Sequence, residues 1–416
     1  MESKLLNFNR IMANFSTKLV GGFVPVIVYK FTGKLELAIL TLVIQYLLSF
    51  IMNLILKNLL IKYPQLFLFL RVIPIIIYEI LLLFITSNPI WCAIGIGASY
   101  SLSYTFKYIP TEVLFAYING TKKKGTGKQL AIIKVLEQTS FIAGVLIGGY
   151  VLDNFAMEYM IIISIVLYII GALPQLIFYI VKGKKRKINT EYASYAHIVL
   201  KEKSDDKQFA NTVSKKIRIL YLIFYFFQES WQCMYVLLPL LTYKLTNSFT
   251  YSAVATAIFD GVYGIGCYIA GVISEKRDLC AFATFCGVIV GICGISLVFL
   301  NKELIWLFYL ICGLMAFGYS FAYYFMYDRL LKKSKVIGRN TTCIINKINM
   351  FLLSTCFNSM FGLIGLPIVF FVAGGMSIVS GISIPAVEEN TRRMLVDHLQ
   401  DNEIKDKYKL FFFRKR

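Results

Sequence analysis

Apolar residues fall in twelve blocks of roughly 20 or more positions, separated by short stretches that hold most of the Lys, Arg, Asp and Glu. The blocks run at about 11–31, 35–56, 66–86, 90–116, 129–151, 157–181, 218–243, 251–273, 280–300, 304–329, 341–362 and 364–386. A helix rises about 1.5 Å per residue, so each block can cross a hydrocarbon core about 30 Å thick. The pattern predicts an all-α membrane protein of about twelve transmembrane helices. Pro25, Pro74, Pro174, Pro239 and Pro367 lie inside blocks, which membrane helices tolerate because neighbouring helices satisfy the freed backbone groups. The longest polar stretch divides the blocks six and six. It separates an N-terminal half (1–181), a basic linker (182–217), a C-terminal half (218–386) and a tail (387–416).

Charge placement orients the chain. Alternate connections are basic: Lys57 and Lys62; Lys122, Lys123, Lys124 and Lys128; Lys182, Lys184, Lys185, Arg186 and Lys187; Lys276 and Arg277; Lys332, Lys333, Lys335 and Arg339; and Arg392, Arg393, Arg414, Lys415 and Arg416 in the tail. The intervening connections carry Lys34, Lys244 and Lys302, and the third of them is acidic, with Asp153 and Glu158. The positive-inside rule then makes the span number even and both termini cytoplasmic, in a multi-pass protein of the cell (inner or plasma) membrane. The linker reads as a solvated cytoplasmic connection, with Glu191, Glu202, Asp205 and Asp206 among its lysines.

Composition agrees and narrows the chemistry. The chain is 58% hydrophobic and 16% charged, where soluble proteins run near half and a quarter. The net charge of +20 sits in the short connections, which excludes a nucleic-acid footprint. The nine Cys are scattered: Cys92, Cys267, Cys286, Cys293 and Cys356 lie in apolar blocks without CxxC spacing and read as small buried residues. Only His197 and His398 occur, so neither a histidine metal site nor any other cofactor is expected. No GxxxxGK[ST] phosphate loop is present, and the chain carries no ATPase of its own.

The halves repeat. Residues 25–32 read PVIVYKFT and 239–246 read PLLTYKLT, with Pro, Tyr, Lys and Thr in register. Tyr100-Ser-Leu-Ser-Tyr104 matches Tyr319-Ser-Phe-Ala-Tyr323, and Gly127-Lys128 before Ile132-Ile133-Lys134 matches Gly338-Arg339 before Ile344-Ile345-Asn346-Lys347. Six spans return the chain to the starting side, so the repeats are parallel, a build that places solute between the halves near the midplane.

With these features the sequence resembles the major facilitator superfamily over most of its length. The loop between the second and third spans keeps basic charge (Leu56-Lys57-Asn58-Leu59-Leu60-Ile61-Lys62-Tyr63-Pro64) but lacks the family's Gly and Asp; Gly271-Val272-Ile273-Ser274-Glu275-Lys276-Arg277 is closer to the pattern. Gly144-Val145-Leu146-Ile147-Gly148-Gly149 resembles the glycine motif of the family's proton-coupled exporters without its usual proline. The resemblance implies two parallel six-helix repeats, with the first and fourth spans of each half lining a central cavity and the fifth and eighth spans side by side. It also implies that the third span faces lipid, which leaves Glu79 and Arg71 without a role.

Charged residues at the bilayer centre cost about 2.5–3.5 kcal/mol each on insertion scales, so each needs a reason. Glu229 lies about 18 Å into the seventh block, in Gln228-Glu229-Ser230-Trp231-Gln232, level with Asn14-Phe15-Ser16-Thr17-Lys18 of the first. Asp260 and Glu137 lie about 14 and 12 Å into theirs. These three carboxylates are the candidates for proton coupling, because a desolvated carboxyl can hold a proton and release it when the cavity hydrates. Lys18, Gln228, Trp231, Gln232, Tyr104, Tyr235, Tyr263 and Tyr323 are the candidates for the solute cavity, and Lys107 with Glu112 for a gate. Lys18, Lys134 and Lys347 lie where a lysine can snorkel to the interface or pair with a carboxylate; Lys134 and Glu137 share a helix face at i, i+3. Aromatic faces beside carboxylates suit an amphipathic or cationic solute.

The expected function is a monomeric secondary transporter, not an enzyme: proton-coupled efflux of a small amphipathic or cationic compound by alternating access. The alternatives are proton-coupled uptake of a polar nutrient, a lipid-linked glycan flippase, and a polytopic membrane transferase. The repeat around a central linker argues against the flippase. The transferase would need a histidine or paired carboxylates at a membrane junction, and the close pairs, Asp205-Asp206 and Glu388-Glu389, sit in the linker and the tail.

Overall fold

A computed structural model of the chain describes the backbone of residues 2–120, 126–183, 213–274, 279–337 and 340–400. Side chains are described within 8–111, 135–177, 219–273, 279–323 and 345–393, apart from four positions. All described secondary structure is helical. Fifteen described α-helices build twelve membrane passes.

The first pass is α1 (Glu2–Val20) and α2 (Val24–Thr32), joined by a 3₁₀ turn at Gly21–Phe23. The second is α3 (Leu35–Lys62), and the third is α4 (Pro64–Leu70) with α5 (Val72–Leu83). Then follow α6 (Pro89–Gly120), α7 (Thr126–Asn154) and α8 (Met157–Gly183). The seventh pass is α9 (Val213–Gln228) with α10 (Trp231–Thr246), followed by α11 (Phe249–Ser274) and α12 (Cys280–Ser296). The last three are α13 (Ile305–Ile337), α14 (Asn340–Met360) and α15 (Leu366–Gln400). Among the described residues, nine helices are long and apolar enough to cross a membrane by length and composition. The even number of passes leaves both ends of the chain on one face, called here the terminal face.

Three passes predicted as continuous are broken. Pro25 and Pro74 lack the N–H that would bond the carbonyls of Gly21 and Leu70, and the helices interrupt there. The seventh pass breaks at Glu229–Ser230, where the Ser230 hydroxyl lies within bonding distance of the carbonyls of Phe227 (2.7 Å) and Ala373 (2.9 Å). The tenth and twelfth passes, α13 and α15, run past the predicted ends at 329 and 386, so the tail begins as helix and continues to Gln400. An exposed Arg393–Glu389 pair at 2.9 Å supports that extension; hydropathy marks where lipid ends, not where a helix does. The linker 182–217 lies almost wholly outside the described residues.

The halves meet along two seams, α7 against α11 and α3 against α14. The glycine motif of α7 allows close approach. A Cβ on Gly144 would fall 2.5 Å from the carbonyl oxygen of Phe15 in α1, and one on Gly149 would fall 2.8 Å from that of Phe249 in α11. The outer surface is apolar: Ile55, Ile162, Ile265 and Ile364 are exposed, as helices in lipid require. Trp91 and Trp306, at the starts of the fourth and tenth passes, are 76% and 81% exposed, an interfacial pair related by the repeat. Charge is inside. Arg71, Glu79, Glu137, Glu229, Asp260 and Lys347 are all less than 9% exposed.

Candidate functional site

A cavity of about 290 Å³ lies between the halves. Its walls come from both repeats at the same level: Asn14, Thr17 and Lys18 in α1, Gln45 and Tyr46 in α3, Tyr100, Tyr104, Lys107 and Tyr108 in α6, and Glu137 in α7. Opposite stand Glu229, Trp231, Gln232 and Tyr235 from the seventh pass, Asp260 and Tyr263 in α11, Tyr319 and Tyr323 in α13, and Lys347 and Phe351 in α14. The helix breaks contribute directly. Glu229 occupies the gap between α9 and α10, and the first-pass break begins at Gly21, which also lines the cavity.

Two ion pairs organise the space. Lys18 lies 3.6 Å from Asp260, joining the halves across the cavity. The Lys18 ammonium also donates to the Tyr235 hydroxyl, which donates to both Asp260 oxygens at 2.9 and 3.1 Å. The second pair, Lys347 with Glu229 at 3.4 Å, stays within the C-terminal half. Lys347 sits 3.6 Å above the Tyr323 ring centroid, and Lys18 lies 5.0 Å from that of Phe141. Both lysines thus face carboxylates and aromatic rings rather than snorkelling to the interface. A largely buried charge pair of this kind is held by its partners, and removing one leaves the other uncompensated.

The aromatic lining is continuous. Trp231 packs on Tyr319 with ring centroids 3.5 Å apart and stacks near Phe259 at 5.7 Å, while Tyr319 reaches Tyr263 and Tyr323. Across the cavity Tyr100, Tyr104 and Tyr108 follow one another at i, i+4, and Tyr104 contacts Tyr46. The repeated Tyr-x-x-x-Tyr segments of the fourth and tenth passes therefore both face the cavity.

Of the residues singled out from the sequence, Glu229, Asp260, Glu137, Lys18, Trp231, Gln232, Tyr104, Tyr235, Tyr263, Tyr323 and Lys107 all line the cavity. Gln228 does not; its amide donates to the Ala322 carbonyl at 3.4 Å. The side chains of Glu112 and Lys134 lie outside the described residues, so the Lys107–Glu112 gate and the Lys134–Glu137 pair are not described. Tyr46, Tyr100, Tyr108, Tyr319, Gln45 and Phe351 were not singled out. The i, i+4 spacing of the tyrosines in the fourth and tenth blocks is the available signal for three of them, Tyr100, Tyr108 and Tyr319.

The lipid-facing expectation for the third pass is overturned for its two charges. Arg71 is 3% exposed, lines the cavity, and donates to the Ser103 carbonyl and hydroxyl (both 3.1 Å) and to the Thr17 hydroxyl (3.2 Å). Glu79 is fully buried against Tyr78 and Ser164. Hydropathy alone does not show which face of an apolar helix turns inward.

Towards the face opposite the termini the cavity lining ends at Pro25 and Pro239. Beyond them Val26, Ile27, Val28 and Leu240 are fully buried, and Phe23 meets Phe249 edge-on at 5.8 Å. Asp153 at the end of α7 bridges the halves there. It accepts from the Ser248 hydroxyl (2.7 Å) and from the backbone N–H groups of Phe249 (3.0 Å) and Thr250 (2.7 Å), so it caps the start of α11. Towards the terminal face the lining continues to Asn9 and Thr111.

Comparison with known proteins follows the same outline. The family model of the Major Facilitator Superfamily matches residues 6–344. No curated protein sequence matches. Among solved structures, the chain is similar to the nucleoside transporter NupG (TM-score 0.62, 11% identity, 92% of this chain and 99% of that one). It is similar to a bacterial homologue of the iron transporter ferroportin in an outward-facing state (TM-score 0.56, 11% identity, 93% and 99%). A third is a bacterial homologue of the human drug peptide transporters PepT1 and PepT2 (TM-score 0.59, 12% identity, 94% and 98%). At these identities the likeness is one of fold.

Proposed function

The chain belongs to the major facilitator superfamily, and on that premise we propose that it is a secondary active transporter that exports a small amphipathic or cationic compound in exchange for protons. The observation that carries this reading is the Lys18–Tyr235–Asp260 connection across the cavity. Asp260 is the acceptor on which a lysine, a proton and a solute cation compete. A proton or a cationic solute displaces Lys18 from it, and the link between the halves on that level is lost. Competition for one carboxylate makes proton and solute exclude each other, which is the requirement for exchange. Glu229, held by Lys347, and Glu137 are further acidic groups facing the same space. The tyrosine and tryptophan walls offer ring faces to a cation and an apolar surface to its body.

In this reading the terminal face is cytoplasmic, the protein works as a monomer in the plasma membrane, and the cavity is the solute site in its cytoplasm-facing state. The seal on the opposite face supports that assignment of state. The structurally similar transporters bear names of nucleosides, iron and peptides, so the fold does not choose the solute; the carboxylates and rings of this cavity do. A second reading, proton-coupled uptake of a polar nutrient, draws on the basic residues among the described lining, Lys18, Arg71, Lys107 and Lys347, which suit an anionic or zwitterionic solute.

The test uses the purified protein in liposomes with an imposed pH gradient and a panel of cationic, zwitterionic and anionic solutes. Export predicts cation movement against the proton flux, lost in Asp260→Asn together with the pH dependence of cation binding. Transport indifferent to the pH gradient, or wild-type exchange by Asp260→Asn, refutes the proposal; proton-driven movement of zwitterions selects the second reading.

A further inference from the structure

Glu79 is the one described membrane carboxylate that lies outside the cavity and is bonded only to hydroxyl groups. It is fully buried in α5, on the N-terminal half, and forms no ion pair among the described residues. Its Oε2 has no hydrogen-bond partner among the described residues. Its Oε1 lies 2.7 Å from the Ser164 hydroxyl of α8 and 3.3 Å from the Tyr78 hydroxyl.

Hydrogen counting sharpens the point. Ser164 Oγ has a single hydrogen, and it lies within bonding distance of three oxygens: Glu79 Oε1 at 2.7 Å, the Ser16 carbonyl of α1 at 3.1 Å and the Ser16 hydroxyl at 3.2 Å. The Ser16 hydroxyl is already committed, donating to the Ser164 carbonyl at 2.6 Å. If Glu79 were ionised, it and the Ser16 carbonyl would both be pure acceptors, and one of these two shorter contacts would have no hydrogen in it. If Glu79 carries a proton on Oε1, both of these contacts are satisfied. The carboxyl O–H donates to Ser164 Oγ, Ser164 donates to the Ser16 carbonyl, and Tyr78 donates to the remaining lone pair of Oε1.

The surroundings favour the same state. The titratable neighbours from the packed elements are the hydroxyls of Tyr78 in α5, Tyr100 in α6 and Tyr168 in α8. Arg71, eight residues back on the same pass, is bonded to Ser103 and Thr17 and lies over the Tyr168 ring at 5.2 Å. A negative charge fully buried there would be met by hydroxyl groups alone among the described residues, which is a costly arrangement.

We infer that Glu79 is a proton-binding site of the N-terminal half, occupied in this conformation and separate from the cavity carboxylates. Its place in the fold gives it an exchange route and a trigger. Tyr78 stacks on Tyr100, a cavity residue, with ring centroids 4.7 Å apart. Ser16, Thr17 and Lys18 are consecutive on α1, and they lead respectively to Glu79 through Ser164, to Arg71, and to Asp260. Movement of α1 about the Gly21–Phe23 break therefore disturbs the Glu79 contacts together with the link between the halves. Once the Ser16 carbonyl withdraws, the Ser164–Glu79 bond loses its second partner and water can take the proton.

The occupancy is tested by infrared spectroscopy on the purified protein in lipid nanodiscs at neutral pH, a measurement independent of transport. The expected result is a carbonyl stretch of a protonated carboxylic acid that is lost in Glu79→Gln and moves to higher frequency, without loss, in Ser164→Ala. A spectrum unchanged by Glu79→Gln overturns the inference. So does a band unmoved by Ser164→Ala, which also serves if the glutamine variant does not fold. A band that appears only when sodium is withdrawn assigns the site to that cation and overturns it equally. Failure of the exchange assay for Asp260→Asn leaves this result standing, so the two proposals fail separately.

Discussion

Asp153→Ala removes the clamp that ties the end of α7 to the start of α11 on the face opposite the termini. Three hydrogen bonds are lost, from the Ser248 hydroxyl and the Phe249 and Thr250 amides. Asp153 is solvent-exposed, so the freed donors can turn to water and the loss is that of a helix cap, about 1–2 kcal/mol. The bonds run between the halves, so the loss falls on the state in which this face is closed. The ratio of closed to open forms should drop by about 5–30-fold. Alkylation reads this directly. Val28, fully buried in α2 near that face, is replaced by cysteine in a background freed of native cysteines, and the reaction rate with a membrane-impermeant maleimide is measured from that side. The rate should rise by the same factor in Asp153→Ala, and by less in Asp153→Asn, because asparagine caps nearly as well. An unchanged rate in a folded Asp153→Ala protein refutes the assignment of this contact as a closure between halves.

Other perturbations address packing and charge. Glu229→Gln or Lys347→Met alone should lower stability by about 3–5 kcal/mol, because each strands a buried charge, whereas the double variant should recover most of it; thermal melting in detergent with a double-mutant cycle checks this, and additive losses refute the pairing. Gly149→Val should hinder the approach of α7 to α11 and cut exchange without changing solute binding, measured by equilibrium binding beside liposome flux. Arg71→Gln should cost about 1.5–3 kcal/mol for each charged hydrogen bond lost inside the N-terminal half, read by melting; a melting curve like that of wild type would return Arg71 to the lipid-facing role expected of its helix.

Much of this architecture was legible in the chain itself. Lipid rewards every apolar residue and penalises every charge, so hydropathy marks the twelve passes without knowledge of neighbours, and PVIVYKFT against PLLTYKLT marks the repeat. The polar stretch at 14–18 and the patch at 228–232 announced the cavity level because a charge at mid-depth is too costly to be incidental. Depth is a one-dimensional property that a sequence carries. Azimuth and partnership are not. Lys18 and Tyr235 are 217 residues apart, and only the packing of the first, seventh and eighth passes brings them to Asp260. Gln228 and Glu229 are adjacent, yet the break after α9 turns one to a backbone carbonyl and the other to the cavity. Arg71 and Glu79 sit on a pass whose composition is as apolar as its lipid-facing neighbours, and their burial was decided by which side of that helix turned inward. A helix in lipid can rotate about its axis at little cost in transfer energy, so its facing is set by the side chains it meets, and those are chosen only when all the passes are assembled.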